Sequence, residues 1–536
     1  MVAITPSPYP ESFALCLAEI ISQQPEQIAL IDRNQAITYR ELDNQTKRLA
    51  AGLAKLGVKP NDRVALWLPN CSAWVQTFLA CAYLGAIVMA VNTRFRSKEV
   101  ADIVGRGKAK WLVMWPEFKG IPFADILADV PNEVTQKLHG IITLGKTPEK
   151  LAGHVPVCFD TLLATDQTTL PPAYGNNGVL CYTTSGTTSL PKFVLHDQKT
   201  LIMHGKAMKQ AYGYDPSSRI FASTPFCGAF GFSTLSGGLV NGFTVISEPV
   251  SDTQSTLEQI RTHRVTHTYA NNESILKLLE SARSVEDFES CKLFGFASFS
   301  PSISDLIEKS EKAHLPLTGL YGSSELQALI AAQPTKADEG DVSVRYLAGG
   351  RLIHGEARLR ARDPETGLVL PHGQSGEIEI KTPSIMVGYL DNPDATKSAF
   401  TEDGFFKTGD LGYAVSDTQF VFQTRMGDSM RLSGFMVNPV EIEQCIENFD
   451  GVQSCQVVSG TKGSKVLPVA FVILQKGGKA DPVTWTAGCK RVLAGFKVPV
   501  HFEIVTEFPS VQSANAVKIQ KNKLREMANT ILERIA

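Results

Sequence analysis

Between residues 182 and 192 the chain reads Tyr-Thr-Thr-Ser-Gly-Thr-Thr-Ser-Leu-Pro-Lys, six Ser/Thr hydroxyls and a glycine ahead of a lysine. A segment of this kind can wrap an anion. Gly186 lets the backbone turn its N–H groups inward, the hydroxyls of Thr184, Ser185, Thr187 and Thr188 donate further hydrogen bonds, and Lys192 adds a positive charge. A triphosphate suits that donor set. The spacing is not GxxxxGK[ST], which excludes the usual strand–loop–helix nucleotide loop. On this segment alone, an ordinary Ser/Thr-rich surface loop remains an equal alternative.

Four further segments carry charge or a flat aromatic in a short motif: Tyr321-Gly322-Ser323-Ser324-Glu325, Phe406-Lys407-Thr408-Gly409-Asp410, Arg425 to Asp428, and Val517-Lys518-Ile519. An aromatic face can stack on a purine. A carboxylate oxygen suits a hard cation that bridges phosphates, and another carboxylate can accept from both hydroxyls of a ribose. Each string alone is more often a turn or a solvent-facing lysine than a site.

Their order is more informative than any one of them. The Ser/Thr loop resembles the (Ser/Thr)-Ser-Gly-(Ser/Thr)-Thr-Gly-x-Pro-Lys-Gly signature of the adenylate-forming superfamily, which includes acyl-CoA synthetases, nonribosomal adenylation domains and luciferases. The 321–325 segment is similar to that family's Tyr-Gly-x-Thr-Glu. Gly376-Glu377-Ile378, Met386, Gly388-Tyr389, the 406–410 segment, Arg425, Asp428 and the run from Gly434 to Glu443 resemble the signatures that follow, and Lys518 stands in a segment like the C-terminal Gly-Lys-Ile. Ser189, Phe193, Thr424 and Val517 occupy positions where the family usually has glycine.

The resemblance implies roles for these residues. Thr184, Ser185, Gly186, Thr187, Thr188 and Lys192 hold the phosphates, Tyr321 packs on adenine, Ser324 contacts the α-phosphate, and Glu325 holds Mg²⁺. Asp410 binds the ribose, Arg425 contacts the ribose or phosphate, Lys518 is the catalytic lysine, Asp428 the hinge, and Ser433 and Gly434 line the thiol's path. The acyl pocket falls on Phe226, Cys227, Gly228 and Phe230, with Ala297 joining it.

The elements that must position these residues are legible from periodicity. Apolar runs at 64–68 and 111–114 alternate with a helical pattern over 72–83, which predicts an α/β fold with mainly parallel sheets. Residues 71–91 carry no charge, yet Ser72, Gln76 and Thr77 and the punctuating Gly85 favour a buried helix running into a core strand over a membrane span. Around 364–376 turn signals separate short alternating strands such as Glu377-Ile378-Glu379-Ile380, marking a β-rich subdomain. After Asp428 come a helix over 439–448, strands over 455–458 and 469–473, and a last helix from Lys521. At 536 residues the chain exceeds one ordinary core. It reads as a large multi-subdomain N-terminal domain over 1–427 and a small, mobile α+β domain over 428–536.

Composition narrows the partners. With 52 basic and 54 acidic residues there is no global field for nucleic acid. Ten scattered cysteines with no CxxC pair argue against a zinc site or a disulfide framework, and the N-terminus shows no leader, so a reducing cytoplasm is expected. The activity that the resemblance implies is an ATP-, Mg²⁺- and coenzyme A-dependent ligation of a carboxylic acid through an acyl-adenylate, with no integral membrane contact expected and with room for a homodimer. The apolar lining at 225–232 and the small Gly228 suggest an aryl, alicyclic or medium-to-long acyl group, unless Phe226 or Phe230 fills the gap. Loading of an acyl carrier protein, or a non-catalytic nucleotide-binding relative, are the alternatives.

Overall fold

The computed structural model describes residues 11–167, 175–176, 178–184, 191–249, 252–297, 304–336, 340–432, 435–462, 465–512 and 517–535. Two large sheets organise the chain as far as Arg425. In the eight-stranded sheet Arg63–Trp67, Ile87–Ala90, Trp111–Met114 and Gly140–Thr143 run parallel, and their apolar runs are continuous because helices cover both faces. Gly178–Thr183 joins them in parallel, and Phe193–Asp197 and Gly388–Tyr389 complete that edge antiparallel.

The uncharged 71–91 segment is helix Ser72–Leu84 followed by strand Ile87–Ala90, all but Ser72 of it buried. Gly85 ends the helix at φ 70°, a left-handed cap that suits glycine. Cys71 supplies no side-chain cap at the other end; the buried Asp32 of strand Ile28–Asp32 accepts from Ser72 N at 2.8 Å instead, tying one sheet to the other's helix. Among the described residues no helix is long and apolar enough to cross a membrane.

The thirteen-stranded sheet begins with a parallel core of Ile28–Asp32, Thr244–Ser247, Arg219–Ala222, His267–Asn271, Leu293–Ala297 and Leu317–Tyr321. The β-rich region is not free-standing. Its strands Gly349–Leu352, Gln419–Arg425, Phe406–Ala414, Ser375–Lys381 and Arg358–Arg362 extend the same sheet antiparallel, joined through Ala331–Ala332 to Leu317–Tyr321. That junction brings the 321–325 segment beside Asp410 and Arg425.

Beyond residue 430 the elements have cores of their own. Strands Val452–Lys462 and Lys465–Leu474 pair antiparallel, and His501–Ile504 adds in parallel. Alternation splits their side chains between two layers. Cys455, Val457, Ala470 and Val472 pack with Ile442, Ile446 and Trp485 under helices Pro439–Glu447 and Pro482–Val492, whereas Val458, Val469 and Phe471 meet Leu524, Ala528 and Leu532 of the last helix, Lys521–Arg534. All ten cysteines are free thiols.

Candidate functional site

The Ser/Thr loop is held at its base by the hairpin of Gly178–Thr183 and Phe193–Asp197. Thr184 N donates to Lys192 O at 2.9 Å, and Lys192 N donates to Thr184 Oγ1 at 3.1 Å. Ser185, Gly186, Thr187 and Thr188 lie outside the described residues, as does Ser189. Phe193, at a position where glycine is usual, is a buried strand residue with the Arg106 guanidinium 4.2 Å from its ring centroid. Asp102 holds Arg106 through two hydrogen bonds of 2.8 Å, so this loop base is fastened by a cation–aromatic contact rather than left to a flexible residue.

Lys192 Nζ sits 4.5 Å from the centre of the Tyr389 ring, and the Tyr389 hydroxyl donates to Glu325 Oε1 at 2.9 Å. Tyr389 reaches this place because Gly388 and Tyr389 pair with Leu195 and Val194, three and two residues beyond Lys192. Backbone contacts fix the other side. Glu325 O accepts from Met386 N at 2.9 Å, and Ser324 O accepts from His196 Nε2 at 2.8 Å. Burial lowers the His196 pKa to about 4, so the ring is neutral at physiological pH with its proton on Nε2.

Tyr321 stands at the end of strand Leu317–Tyr321, its ring edge-on to Phe420 at 4.9 Å, and its hydroxyl donates a short hydrogen bond to Asp410 Oδ2. Asp410 and Arg425 are direct cross-strand partners, which brings Arg425 Nη1 to 2.9 Å from Asp410 Oδ1. Arg425 Nη1 also donates to Thr408 O at 3.2 Å. Asp410 is 1% exposed, and its Oδ1 has no hydrogen bond among the described residues despite that ionic contact. Burial raises its pKa to about 6, against the opposing pull of Arg425 and of the Tyr321 hydroxyl.

The remaining expected residues are placed separately. Lys518 lies on strand Val517–Ile519, paired with Val511, and its side chain is outside the described set. Ser433 and Gly434 are also outside it. Asp428 closes the short turn Met426–Asp428 and accepts from Arg525 Nη2 of the last helix at 3.0 Å. At the expected acyl pocket, Phe226 is fully buried, its ring centroid 5.4 Å from that of Trp74, so it packs in the core. Cys227, Gly228 and Ala297 are half-buried, Phe230 is buried, and Gly228 caps helix Ala229–Leu239. Burial pushes the Cys227 thiol up to about 12, which makes it a poor nucleophile.

No group of three or more His, Cys, Asp or Glu side chains able to hold a metal occurs among the described residues. Glu325 offers a single half-exposed carboxylate. That fits a Mg²⁺ whose remaining ligands are phosphate oxygens and water. Sequence reasoning gave no role to Tyr389 or His196. The Gly-Tyr pair was the only available signal for the tyrosine, and a lone histidine on a strand carried none.

The AMP-binding enzyme family model matches residues 17–390. The chain is 27% identical to the 3-[(3aS,4S,7aS)-7a-methyl-1,5-dioxo-octahydro-1H-inden-4-yl]propanoyl:CoA ligase of Mycobacterium tuberculosis, over 95% of this chain and 98% of that one. It is 28% identical to 4-coumarate–CoA ligase CCL1 of Humulus lupulus, over 86% and 84% of the two chains. ATP-bound MatB from Rhodopseudomonas palustris superposes with a TM-score of 0.83 at 25% identity, covering 97% of this chain and 99% of that one.

Proposed function

The chain belongs to the AMP-binding enzyme family, and we propose that it uses ATP to convert a carboxylic acid into an acyl-adenylate and then into a coenzyme A thioester. The observation that carries this reading is Asp410. It is a buried carboxylate with one oxygen free of hydrogen bonds, set between the Tyr321 hydroxyl and Arg425. A ribose hydroxyl would supply the donor that Oδ1 lacks. Lys192 and Glu325, joined through Tyr389, offer a cation and a carboxylate of the kind that phosphates and their metal ion would use, which supports the reading.

In this reading Lys192 neutralises phosphate charge and Glu325 holds Mg²⁺, which when bound offsets the charge that builds up as pyrophosphate leaves. The acid's carboxylate attacks the α-phosphorus, so the protein has positioning and charge to provide and little proton transfer. Ser324 contacts the α-phosphate, and Lys518 completes the charge in the first half-reaction. A thiolate then displaces AMP. We place the domain boundary at residues 427 and 428, with Asp428 as the hinge about which the smaller domain turns between the two steps. Separate cores beyond residue 430 support that division, and ten free thiols suit a reducing cytoplasm.

The acid is proposed to be aryl, alicyclic or a medium-to-long chain. The half-buried Gly228 and Cys227 beside buried Phe230 support an apolar slot, and the two relatives named above are, by name, ligases of a bicyclic acid and of 4-coumarate. A pyrophosphate-release screen over a panel of carboxylic acids tests the reading, with coenzyme A and an acyl carrier protein as parallel acceptors. Acid-dependent release with thioester formed on coenzyme A is the expected result. ATP binding without release for any acid would replace it by a non-catalytic nucleotide-binding role.

Tyr389→Phe isolates one contact. The ring stays under Lys192 while the hydroxyl leaves the Glu325 carboxylate. A hydrogen bond to a charged group is worth roughly 1.5–3 kcal/mol, so the KM for MgATP rises about tenfold or more. Titration of MgATP at saturating acid and coenzyme A checks it, and an unchanged KM would remove Tyr389 from the site.

A further inference from the structure

Just after Glu325 the chain turns back through two left-handed residues that are not glycine, Gln327 at φ 57° and Leu329 at φ 68°. Leucine has no side-chain hydrogen bond to offset that conformation, so the surroundings must enforce it. The turn is pressed onto Gly322, where an added Cβ would lie 2.5 Å from Ala328 Cα and 2.8 Å from Leu329 N. Ser324 and Glu325 sit between these two points of contact, and their placement depends on whatever holds the turn.

Helix Gln198–Ala211 and the residue that caps it hold the turn. Gln327 Nε2 donates to Thr200 O at 3.1 Å and to Ser384 O at 2.9 Å. His204 Nε2 donates to Ala328 O at 2.9 Å, and the Tyr212 hydroxyl donates to Leu329 O at 2.7 Å. Thr200 and His204 are four apart, on one face of the helix. Three consecutive residues of the turn are thus each tied to this one rod. His204 is fully buried, and burial with His354 nearby keeps it neutral, leaving Nε2–H as a permanent donor. The rod starts where strand Phe193–Asp197 ends, with Asp197 accepting from Thr200 N at 2.8 Å, so the element that follows Lys192 also grips the chain that follows Glu325.

We propose that His204 is a positioning residue which, with Tyr212 and Gln327, clasps this turn and thereby sets the Glu325 carboxylate against Lys192 for the magnesium–triphosphate group. The assignment rests on the ligase reading above. It makes helix Gln198–Ala211 the part that couples the two halves of the phosphate site, through residues that touch neither ATP nor acid.

The test compares His204→Leu, which removes the donor, with His204→Gln, which keeps an N–H donor, and with Tyr212→Phe, which removes only a hydroxyl and stands in should His204→Leu fail to fold. Amide hydrogen exchange over residues 322–332 and calorimetric binding of ATP at graded Mg²⁺ are measured on the whole protein. Loss of one hydrogen bond is expected to speed exchange in that segment alone and to raise the half-saturating Mg²⁺ by about tenfold. His204→Gln is expected to restore both to within about threefold, and thioester formation from supplied acyl-adenylate stays within about twofold of the unaltered protein. Unchanged exchange overturns the clasp. Faster exchange with unchanged Mg²⁺ dependence overturns the coupling to Glu325, and acceleration throughout the protein reduces His204 to a stabilising core residue. Unaltered protein that binds MgATP yet releases no pyrophosphate with any acid overturns the ligase reading, while the exchange and binding arms still decide the clasp.

Discussion

Lys518→Ala loses acid-dependent pyrophosphate release by about 10²- to 10³-fold, the range seen when one preorganised donor to a developing charge is removed, while thioester formation from supplied acyl-adenylate is retained. The two outcomes separate because the lysine is needed only where charge collects on the α-phosphoryl group. In the second step a thiolate attacks the acyl carbon of the mixed phosphoric–carboxylic anhydride, the acyl C–O bond breaks and AMP leaves, so no charge is added to the phosphorus itself. Lys518 sits on the short hairpin of Ser510–Gln512 and Val517–Ile519, which runs directly into helix Lys521–Arg534. That helix reaches back through Arg525 to Asp428, so the lysine and the proposed pivot belong to one connected unit. Assaying the half-reactions separately checks the prediction. Equal loss of both would mean that Lys518 supports the fold or a shared step.

Asp410→Asn weakens ATP binding by about a hundredfold and alters its pH dependence. The substitution removes the charged acceptor for a ribose hydroxyl and breaks the pairing of Arg425 with a carboxylate, two charge-assisted interactions of roughly 1.5–3 kcal/mol each that are not fully additive. The carboxylate is the binding form, and burial raises its pKa to about 6. ATP affinity of the unaltered protein therefore falls as pH drops through about 6 and levels off above it. The asparagine variant lacks that inflection. The same shift acts on stability with a definite sign. Between the ordinary carboxylate range and about pH 6 the folded state holds this proton more tightly than the unfolded one, so the group's contribution to stability declines as pH rises across that window. Calorimetric ATP titration from pH 5 to 8 checks the binding, and an affinity flat across that range in the unaltered protein would refute the role.

The elements were legible because each is written locally, whereas the charged positions were expected only from the order in which several short strings resemble a family's signatures. Apolar runs closed by Gly85 announce helix Ser72–Leu84 and strand Ile87–Ala90, while a lysine after six hydroxyls is as compatible with a plain surface loop as with a loop for anions. Contacts set by register were not legible. Asp410 faces Arg425 only because a bulge between Leu411 and Gly412 realigns two strands, and no period in the sequence encodes that shift. Tyr389 stands in a signature-like Gly-Tyr pair that names no role for it, and only its pairing with Val194 turns it under Lys192. The β-rich region announced its alternation but not its attachment, because the joining strand is the dipeptide Ala331–Ala332, too short to carry a pattern. Phe193 looked like a lost glycine, and its compensation, the Arg106 guanidinium on its ring, comes from far away in the chain.

Strand Ile28–Asp32 takes its parallel neighbour from Thr244–Ser247, with Leu30 opposite Val245. During synthesis that neighbour leaves the ribosome roughly ten to forty seconds after the strand it completes. Until then the strand has only the adjoining Gln35–Thr38 ribbon, and a lone two-stranded ribbon is marginal in water. Asp32, which caps helix Ser72–Leu84, waits on the same edge. Translation halted before residue 244 would release a chain whose first strand presents an apolar, unpaired border to any other unfinished copy.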